Sequence, residues 1–286
     1  MTLKIGTRKS RLALAQTELV QNALHAKFPE IQTEIVEITT RGDKVLDRPL
    51  DKIGGKGVFV GEIETALQSG IIDLAVHSAK DLPVVLGEDL EISGVLPRGN
   101  YRDMLIAKNG VKFRSDDVFT VGTGSLRRRE NLLKLYPNAR FADIRGNVDT
   151  RLRKLQNGEY DALILCAAGL ERLGIPLDEF SVEVFEHTEF LPAPCQGIIA
   201  VECVKNRTAA QIINAVSDTD TMICFEAERE IIRLLGADCS TPLGAFSEIR
   251  GDKIFIALSD SNLKSVSGSA EIFEKSRLIK ELIEKL

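Results

Sequence analysis

The sequence predicts an α/β protein built from two doubly wound lobes, joined by crossing segments, and a small α+β domain at the C-terminal end. Short apolar runs alternate with helical patterns along most of the 286 residues, which is typical of a parallel sheet covered by helices. Turn-forming segments at Pro97–Asn100 and Leu191–Cys195 interrupt the alternation. We therefore expect domain 1 at 1–97 and 195–216, domain 2 at 98–194 and domain 3 at 217–286.

The first lobe begins in a strand at once, and Ser10 is placed to cap the helix that follows. Period-2 and period-3.6 patterns then alternate up to the first turn-rich segment. The predicted elements are strand Leu3–Gly6, helix Arg11–Lys27, strand Ile31–Thr39, helix Phe59–Gln68, strand Leu74–His77 and strand Glu91–Leu96.

The second lobe repeats the pattern, and the chain then returns to the first lobe through strand Ile198–Cys203. Its predicted elements are Met104–Ala107, Val118–Gly122, Arg140–Ile144 and Ala162–Leu165 as strands, with Ser125–Leu135, Val148–Gln156 and Ala168–Leu173 as helices. The last domain is predicted as helix Asp218–Leu235, strands Leu243–Ile249, Ile254–Leu258 and Val266–Ser269, and a terminal helix from Glu271.

The composition of the chain argues against several classes of protein and site. The formal net charge of -5 argues against nucleic acid, which needs a basic surface. No apolar run reaches the roughly 20 residues that span a bilayer, and the sequence starts without a secretory signal, so we expect a cytoplasmic protein. Five cysteines without a C-x-x-C pair and three scattered histidines predict neither a disulfide framework nor a metal site.

Arginines stand at three predicted junctions between a strand and a helix: in Thr7–Ser10, in Val121–Glu130 and in Phe141–Arg151. Such a junction directs unpaired backbone N–H groups and the positive end of a helix dipole at one spot. Guanidinium groups there favour a ligand with several carboxylates or phosphates. The alternative is an ordinary solvated surface of the helices.

Three further segments carry candidate chemistry, each with a plainer alternative. The glycine-rich stretch 40–57 is a lid bearing Lys52 and Lys56, or a passive loop; it lacks the P-loop pattern. Asp81, after a buried strand, stabilises a cation or accepts a proton, or else it only pairs with Lys80 or caps a helix. Cys239, in a polar loop, is a nucleophile or attachment point, whereas Cys166, Cys203 and Cys224 lie in apolar runs typical of a core.

Taken together, these segments resemble the porphobilinogen deaminase (hydroxymethylbilane synthase) family along essentially the whole chain. The matching segments are Gly-Thr-Arg-Lys-Ser at 6–10, Thr-Arg-Gly-Asp at 40–43, Lys-Ile-Gly-Gly-Lys-Gly at 52–57, His-Ser-Ala-Lys-Asp-Leu-Pro at 77–83, Gly-Ser-Leu-Arg-Arg at 124–128, Arg-Gly-Asn-Val-Asp-Thr-Arg-Leu at 145–152, Tyr-Asp-Ala-Leu-Ile-Leu at 160–165, Ala-Gly-Leu-Glu-Arg-Leu-Gly at 168–174 and Leu-Pro-Ala-Pro-Cys-Gln-Gly at 191–197.

The resemblance implies an enzyme of tetrapyrrole biosynthesis that condenses four porphobilinogens head to tail into hydroxymethylbilane and releases four ammonia molecules. It implies a dipyrromethane cofactor held by a thioether to Cys239. The family commonly has two small residues before this cysteine; Ala237 fits that pattern and Asp238 departs from it. It implies a monomer whose product passes to uroporphyrinogen-III synthase.

The resemblance also implies roles for individual residues. Asp81 matches the catalytic carboxylate, which stabilises the cationic electrophile left when ammonia departs. Lys52, Lys56 and Phe59 match the lid. The positions that match cofactor- and substrate-binding residues are Arg8, Ser10, Lys80, Ser125, Arg127, Arg128, Arg145, Arg151 and Arg172.

Two other hypotheses fit part of the pattern. A non-catalytic, two-lobed receptor for an oligocarboxylate or phosphate, similar to periplasmic binding proteins, accounts for the lobes and the arginines, but the absence of an export signal, the cysteine loop and Asp81 count against it. A phosphate-handling transferase is weaker, because the nucleotide motifs are incomplete.

Overall fold

The computed structural model describes residues 1–44, 60–237, 241–260, 262 and 264–286. The chain divides into two compact units, the first made of 1–99 and 198–225 and the second of 100–197 and 226–286. Among the helices in these described ranges, none has the length and apolar character of a membrane span.

The strands are β1 (Thr2–Arg8), β2 (Gln32–Ile38), β3 (Leu74–Ser78), β4 (Leu90–Val95), β5 (Asp103–Lys108), β6 (Thr120–Gly122), β7 (Arg140–Ala142), β8 (Ala162–Cys166), β9 (Phe180–Val184), β10 (Ile199–Val204), β11 (Gly244–Arg250), β12 (Lys253–Ser259) and β13 (Ser265–Glu271). The helices are α1 (Arg11–Lys27), α2 (Arg41–Lys44), α3 (Gly61–Gln68), α4 (Leu126–Leu135), α5 (Val148–Gln156), α6 (Ala167–Arg172), α7 (Thr208–Val216), α8 (Thr219–Leu234) and α9 (Lys275–Glu284).

The first unit contains a five-stranded sheet in the order β2-β1-β3-β10-β4. Strand β1 pairs in parallel with both neighbours, whereas β10 runs antiparallel to β3 and β4. Side chains of β3 alternate between two cores: Leu74 and Val76 pack with α1 and α7, and Ala75 packs with α3. Helices therefore cover both faces, and the carboxyl ends of β1, β3 and β4 share one edge with the start of β10.

The second unit repeats this arrangement in the order β7-β6-β8-β5-β9. Strand β5 is the antiparallel member, paired with β8 and β9. Leu105 of β5 packs into one core with Leu132 of α4, and Ile106 packs into the other with Leu155 of α5. The carboxyl ends of β6, β7 and β8 share an edge with the start of β5.

A separate antiparallel sheet, β11-β12-β13, completes the second unit. Helix α9 buries Leu278, Ile279 and Leu282, and a Cβ on Gly268 of β13 would lie 3.0 Å from the Leu278 side chain. The absence of a side chain at Gly268 thus lets the helix approach the sheet closely. The predicted α/β class, with two helix-covered sheets and a small C-terminal sheet, is confirmed. The expectation of parallel sheets holds only in part, because β10 and β5 run antiparallel to their neighbours.

The predicted elements differ from the structure at several points. Helices α2 and α7 and strand β9 were not predicted. The terminal helix begins at Lys275, after a short 3₁₀ turn at Ile272–Glu274, instead of at Glu271. Cys203 and Cys224 are buried as expected, but Cys166 is only half-buried, because it ends β8 at the edge of the sheet. The predicted separation of 217–286 as a third domain stays a prediction.

Candidate active site

The first predicted junction lies where β1 ends and α1 begins. Arg8 is the last residue of β1 and is half-buried. Ser10 caps α1: its backbone is extended and its side-chain oxygen accepts a hydrogen bond from the Ala13 N–H at 3.2 Å. The first turn of α1 contains no acidic residue, so the partial positive charge of the helix N-terminus is not offset within that turn.

The neighbouring strand β3 ends in the 3₁₀ turn Ala79–Asp81. This turn is fixed by two contacts: the Ala79 N–H donates to the carbonyl of Ile198 at 3.0 Å, and the Gln16 amide donates to the Ser78 hydroxyl at 2.9 Å. Both contacts lie within the first unit. They hold the backbone that presents Lys80 and Asp81 at the edge of the sheet.

Asp81 is exposed and Lys80 is half-buried. Among the residues that the structure describes, neither side chain has a hydrogen-bonded or ion-paired partner. The plainer interpretation, in which Asp81 only pairs with Lys80, therefore does not describe this structure. The catalytic role of Asp81 stays a prediction.

Behind this turn, three titratable side chains meet from three elements. The His77 Nε2 atom of β3 lies 3.0 Å from a carboxylate oxygen of Glu202 on β10, and both side chains are buried. The pKa of Glu64 on α3 is raised, first by burial and then by the negative charge of Glu202, while His77 lowers it. One oxygen of Glu64 and one of Glu202 are buried without a partner among the described residues.

At the second predicted junction, Ser125 caps α4, accepting a hydrogen bond from the Arg128 N–H at 3.4 Å. Arg127 and Arg128 are 5% and 8% exposed, so neither belongs to a solvated helix surface. Both guanidinium groups contact the fully buried Asp103 at the start of β5. Burial lowers the pKa of Arg127, and the charge of Asp103 partly opposes that effect.

The third predicted junction follows β7. Asn147 caps α5 and accepts from the Thr150 N–H at 2.9 Å. The Arg151 Nε donates to the carbonyl of Gly146 at 2.9 Å. Gly146 has φ +110°, a conformation that favours glycine, and a Cβ there would lie 2.7 Å from the Thr150 side chain. Arg145, between the strand and the cap, is half-buried.

Arg172 ends α6, the helix that follows β8. One of its terminal nitrogens donates to the carbonyl of Gly197 at 2.5 Å, and burial lowers its pKa. The second unit therefore brings Ser125, Arg127, Arg128, Arg145, Arg151 and Arg172 to elements that follow β6, β7 and β8 on one sheet edge.

Sequence reasoning missed Asp103. An acidic residue directly before the apolar run Met104–Ala107 was a signal, but its partners lie more than twenty residues away in the sequence. It also missed Asp143, which pairs with Arg129 at the same edge. Four of the predicted residues, Lys52, Lys56, Phe59 and Cys239, lie outside the described residues.

In each unit, the chemistry at this edge of the sheet suits an anionic ligand. Cationic side chains and capped helix N-termini recur at the carboxyl ends of the parallel strands. Ligands bind at this edge in open α/β sheets. Arginine can hold a carboxylate at two points. In the first unit, Asp81 has no partner among the described residues, and its carboxylate can accept an N–H or stabilise a positive charge.

Comparisons with known proteins agree with this chemistry. A family model described as "Porphobilinogen deaminase, dipyromethane cofactor binding domain" matches residues 3–212. The porphobilinogen deaminase of Roseiflexus sp. (strain RS-1) is 45% identical over 257 residues, which cover 89% of this chain and 84% of that protein. The porphobilinogen deaminase of Bordetella parapertussis is 44% identical over 254 residues, covering 88% of this chain and 80% of the relative.

Among solved structures, the periplasmic VFT2 domain of Bordetella pertussis BvgS matches at 14% identity with a TM-score of 0.45, covering 75% of this chain and 86% of that chain. That likeness is too weak to bear on fold or function. The family model spans most of the chain, and the relatives cover nearly nine tenths of it. The chain belongs to the porphobilinogen deaminase family.

Proposed function

We propose that this chain condenses four porphobilinogen molecules head to tail into hydroxymethylbilane, with release of four molecules of ammonia. It is a transferase of porphyrin biosynthesis, and its family carries a dipyrromethane cofactor. The observation that supports this most directly is the family match over residues 3–212 together with relatives of the same name. A non-catalytic binding protein is not favoured, because those relatives are enzymes by name.

The described residues fit a dipyrromethane. Each pyrrole ring of such a group carries an acetate and a propionate, so the ligand is an oligocarboxylate, and the donor set is rich in guanidinium groups and capped helix N-termini. When bound, the group supplies the primer to which new rings are joined. Cys239 is the proposed attachment point.

The proposed binding residues hold carboxylates. Arg8, Ser10 and Lys80 belong to the first unit. Ser125, Arg127, Arg128, Arg145, Arg151 and Arg172 belong to the second. Because Arg127 and Arg128 already bond to Asp103 and to backbone carbonyls, only their remaining N–H groups serve a ligand. Lys52, Lys56 and Phe59 are proposed as a lid that excludes water during ring joining.

Asp81 is the proposed catalytic residue. Departure of ammonia leaves positive charge on a pyrrole ring, and a carboxylate placed beside the ring N–H stabilises that charge. Two features support this role: the turn that bears Asp81 is fixed to the sheet through Ala79, and the carboxylate has no partner among the described residues that would compete with a substrate. Preorganised charge of this kind needs no rearrangement when the reaction occurs.

Three finer expectations belong to the same proposal. The protein acts as a monomer in the cytoplasm, and its product passes to uroporphyrinogen-III synthase. The cysteine content, without a disulfide pattern, supports a reducing compartment.

The covalent cofactor gives the decisive test. Mass spectrometry of the denatured protein should show two pyrrole units beyond the sequence mass, and an acidic aldehyde reagent should give a pyrrole colour. Cys239→Ser should lose both the added mass and the activity. Cys224→Ala, at a buried cysteine of α8, is the matched control and should keep both. Active protein with only the bare chain mass would refute the proposal, and an adduct on Cys239→Ser would place the attachment on another cysteine.

A further inference from the structure

Asp103, Arg127 and Arg128 form a buried ion cluster, called the Asp103 cluster below, in the second unit. The Asp103 side chain is fully buried at the start of β5. Its Oδ2 accepts from Arg127 Nη2 at 2.8 Å. Its Oδ1 accepts from Arg128 Nε at 3.0 Å and from Arg128 Nη2 at 2.7 Å. One carboxylate therefore engages both guanidinium groups.

Each guanidinium group is also held on a second side. Arg127 Nη1 donates to the carbonyl of Leu191 at 2.6 Å, and its guanidinium carbon lies 5.8 Å from the centre of the Phe190 ring. Arg128 Nη1 donates to the carbonyl of Ile164 at 3.1 Å. Two acceptors on different sides fix the orientation of each side chain, because rotation about any side-chain bond breaks at least one contact.

Asp103 itself is anchored by the backbone. It pairs with Cys166 of β8, and its carbonyl accepts from the Phe185 N–H at 3.0 Å. It lies on the antiparallel strand, between β8 and β9. The carboxylate is thus held by the sheet, and the arginines, which come from α4, are oriented toward it.

The charges of the cluster do not cancel. Burial of a guanidinium group is costly, and the positive charge of Arg128 further lowers the pKa of Arg127, while Asp103 raises it. Among the described residues, one carboxylate pairs with both arginines. The three side chains together carry two positive charges against one negative, a net charge of +1. A second carboxylate would have neutralised the cluster, whereas one carboxylate leaves a positive charge for an anionic ligand.

We propose that Asp103 is a positioning residue: it holds Arg127 and Arg128 as one pre-oriented cation of net charge +1 for a carboxylate of the pyrrole chain. This inference rests on the proposed function. A flexible arginine loses rotamer entropy when it binds an anion, whereas these two have already lost it. Asp103 acts through the arginines and does not itself contact substrate.

The test compares Asp103→Asn and Asp103→Glu with Asp116→Asn. Asp116 is an exposed carboxylate of the same unit that pairs with Arg114 and lies before β6, away from the ends of the parallel strands. We expect both Asp103 variants to raise the KM for porphobilinogen at least tenfold, with a smaller change in kcat. They should also slow cofactor acquisition, measured by intact mass when refolded apoprotein is given porphobilinogen. Asp116→Asn should match the parent chain in both measurements.

Circular dichroism and thermal unfolding identify the variants that fold. If Asp103→Asn does not fold, the test uses KM and the rate of cofactor acquisition of Asp103→Glu. That variant retains the negative charge but displaces it by one methylene. A folded variant with parental KM and parental rate of cofactor acquisition would overturn the inference and leave the proposed function intact. If the parent chain shows neither adduct nor activity, the proposed function fails, and this inference fails with it.

A double-mutant cycle tests the route of the effect. The fold-increase in KM caused by Asp103→Asn is measured in the parent and in an Arg128→Gln background. If Asp103 acts through Arg128, this fold-increase should be at least three times smaller in the Arg128→Gln background. Two effects on KM that simply multiply would show that Asp103 does not act by positioning Arg128, and would overturn the inference.

Discussion

Asp81 and Asp103 are both carboxylates at the site-bearing edges of their sheets, but their surroundings differ. Asp103 is buried and fully engaged by two arginines, whereas Asp81 is exposed and has no side-chain partner among the described residues. A buried carboxylate that already accepts three hydrogen bonds is poorly placed to receive an N–H from a substrate. Of the two carboxylates, Asp81 is therefore the one that is open to a substrate N–H, as its proposed catalytic role requires.

Asp81→Ala should lower kcat at least a hundredfold, as expected when one preorganised charge partner is removed. The exposed side chain has no described partner to lose, so the fold and the covalent cofactor should persist, which thermal unfolding and intact mass will show. Asp89→Ala is the matched control, since Asp89 is an exposed aspartate of the same unit just before β4. Near-parental turnover by Asp81→Ala would remove this residue from the mechanism.

The sequence predicts the site residues at strand ends but not their partners. The sequence predicts arginines next to strand ends because that pattern is local. It does not predict that Asp103 bonds to two of them, because this contact depends on β5 lying between β8 and β9, and those strands are distant in the sequence. Local patterns thus predict the cationic residues at the edge, and only the fold shows which of them already bond to a carboxylate.

At the scale of elements, helix α3 packs a titratable group against the sheet of the first unit. Ile63 and Leu67 bury its apolar side, while Glu64 approaches Glu202 of β10 and His77 of β3. The Gly87 backbone also provides a hydrogen bond that lowers the pKa of Glu64, but burial and Glu202 outweigh it. The helix therefore docks more favourably when Glu64 is protonated.

The sign of the pH dependence follows from the raised pKa. A carboxyl group whose pKa is higher in the folded chain favours folding below its unfolded pKa, near 4.5, and this contribution is lost as the pH rises through the folded pKa. Glu64→Gln should therefore lose less unfolding free energy than the parent chain between pH 4.5 and neutrality. Urea unfolding at several pH values measures this. Glu88→Gln, at an exposed carboxyl of the same unit, should show the same pH dependence of unfolding free energy as the parent. If Glu64→Gln also showed the parental pH dependence, the prediction would be contradicted.

Two of the elements that were not predicted, β9 and α7, depend on contacts with distant parts of the chain. Strand β9 has no clear alternation between buried and exposed positions and is stabilised by pairing with β5. Helix α7 is short, and its buried residues Ala209, Ala210 and Ile213 pack into a core formed mainly by distant segments. Both depend on tertiary contacts more than on local pattern.

At the scale of the whole molecule, the antiparallel strand takes the fourth position in both five-stranded sheets, and the other strands follow the same order in each. That strand is the last of its sheet along the chain in the first unit and the first in the second. The alternation of apolar runs and helical patterns predicted this class, because each unit is built mainly from local strand–helix–strand connections. The break at Leu191–Cys195 also predicted that the chain returns to the first unit through β10. The sequence did not predict that β11–β13 group with the second unit, because this grouping depends on buried contacts between distant segments.

One of these contacts is the fully buried Glu228 of α8. Its Oε1 accepts from the Ser247 N–H and hydroxyl of β11, each at 2.8 Å, and its Oε2 accepts from the Cys195 N–H. Cys195 has φ +62°, which is uncommon for a residue with a Cβ, so a firm partner is needed to hold it there. Nearby, the Ala245 N–H donates to the Pro192 carbonyl at 3.0 Å.

Glu228→Ala should reduce the free energy of unfolding by about 3–5 kcal/mol, because two buried backbone N–H groups would lose their acceptor at about 1–3 kcal/mol each and a cavity would remain. Glu226→Gln is the matched control on the same helix: it removes an exposed ion pair with Lys275, worth at most about 1 kcal/mol. Denaturant unfolding measures both. Equal losses for the two variants would show that Glu228 does not secure β11 to the segment around Cys195.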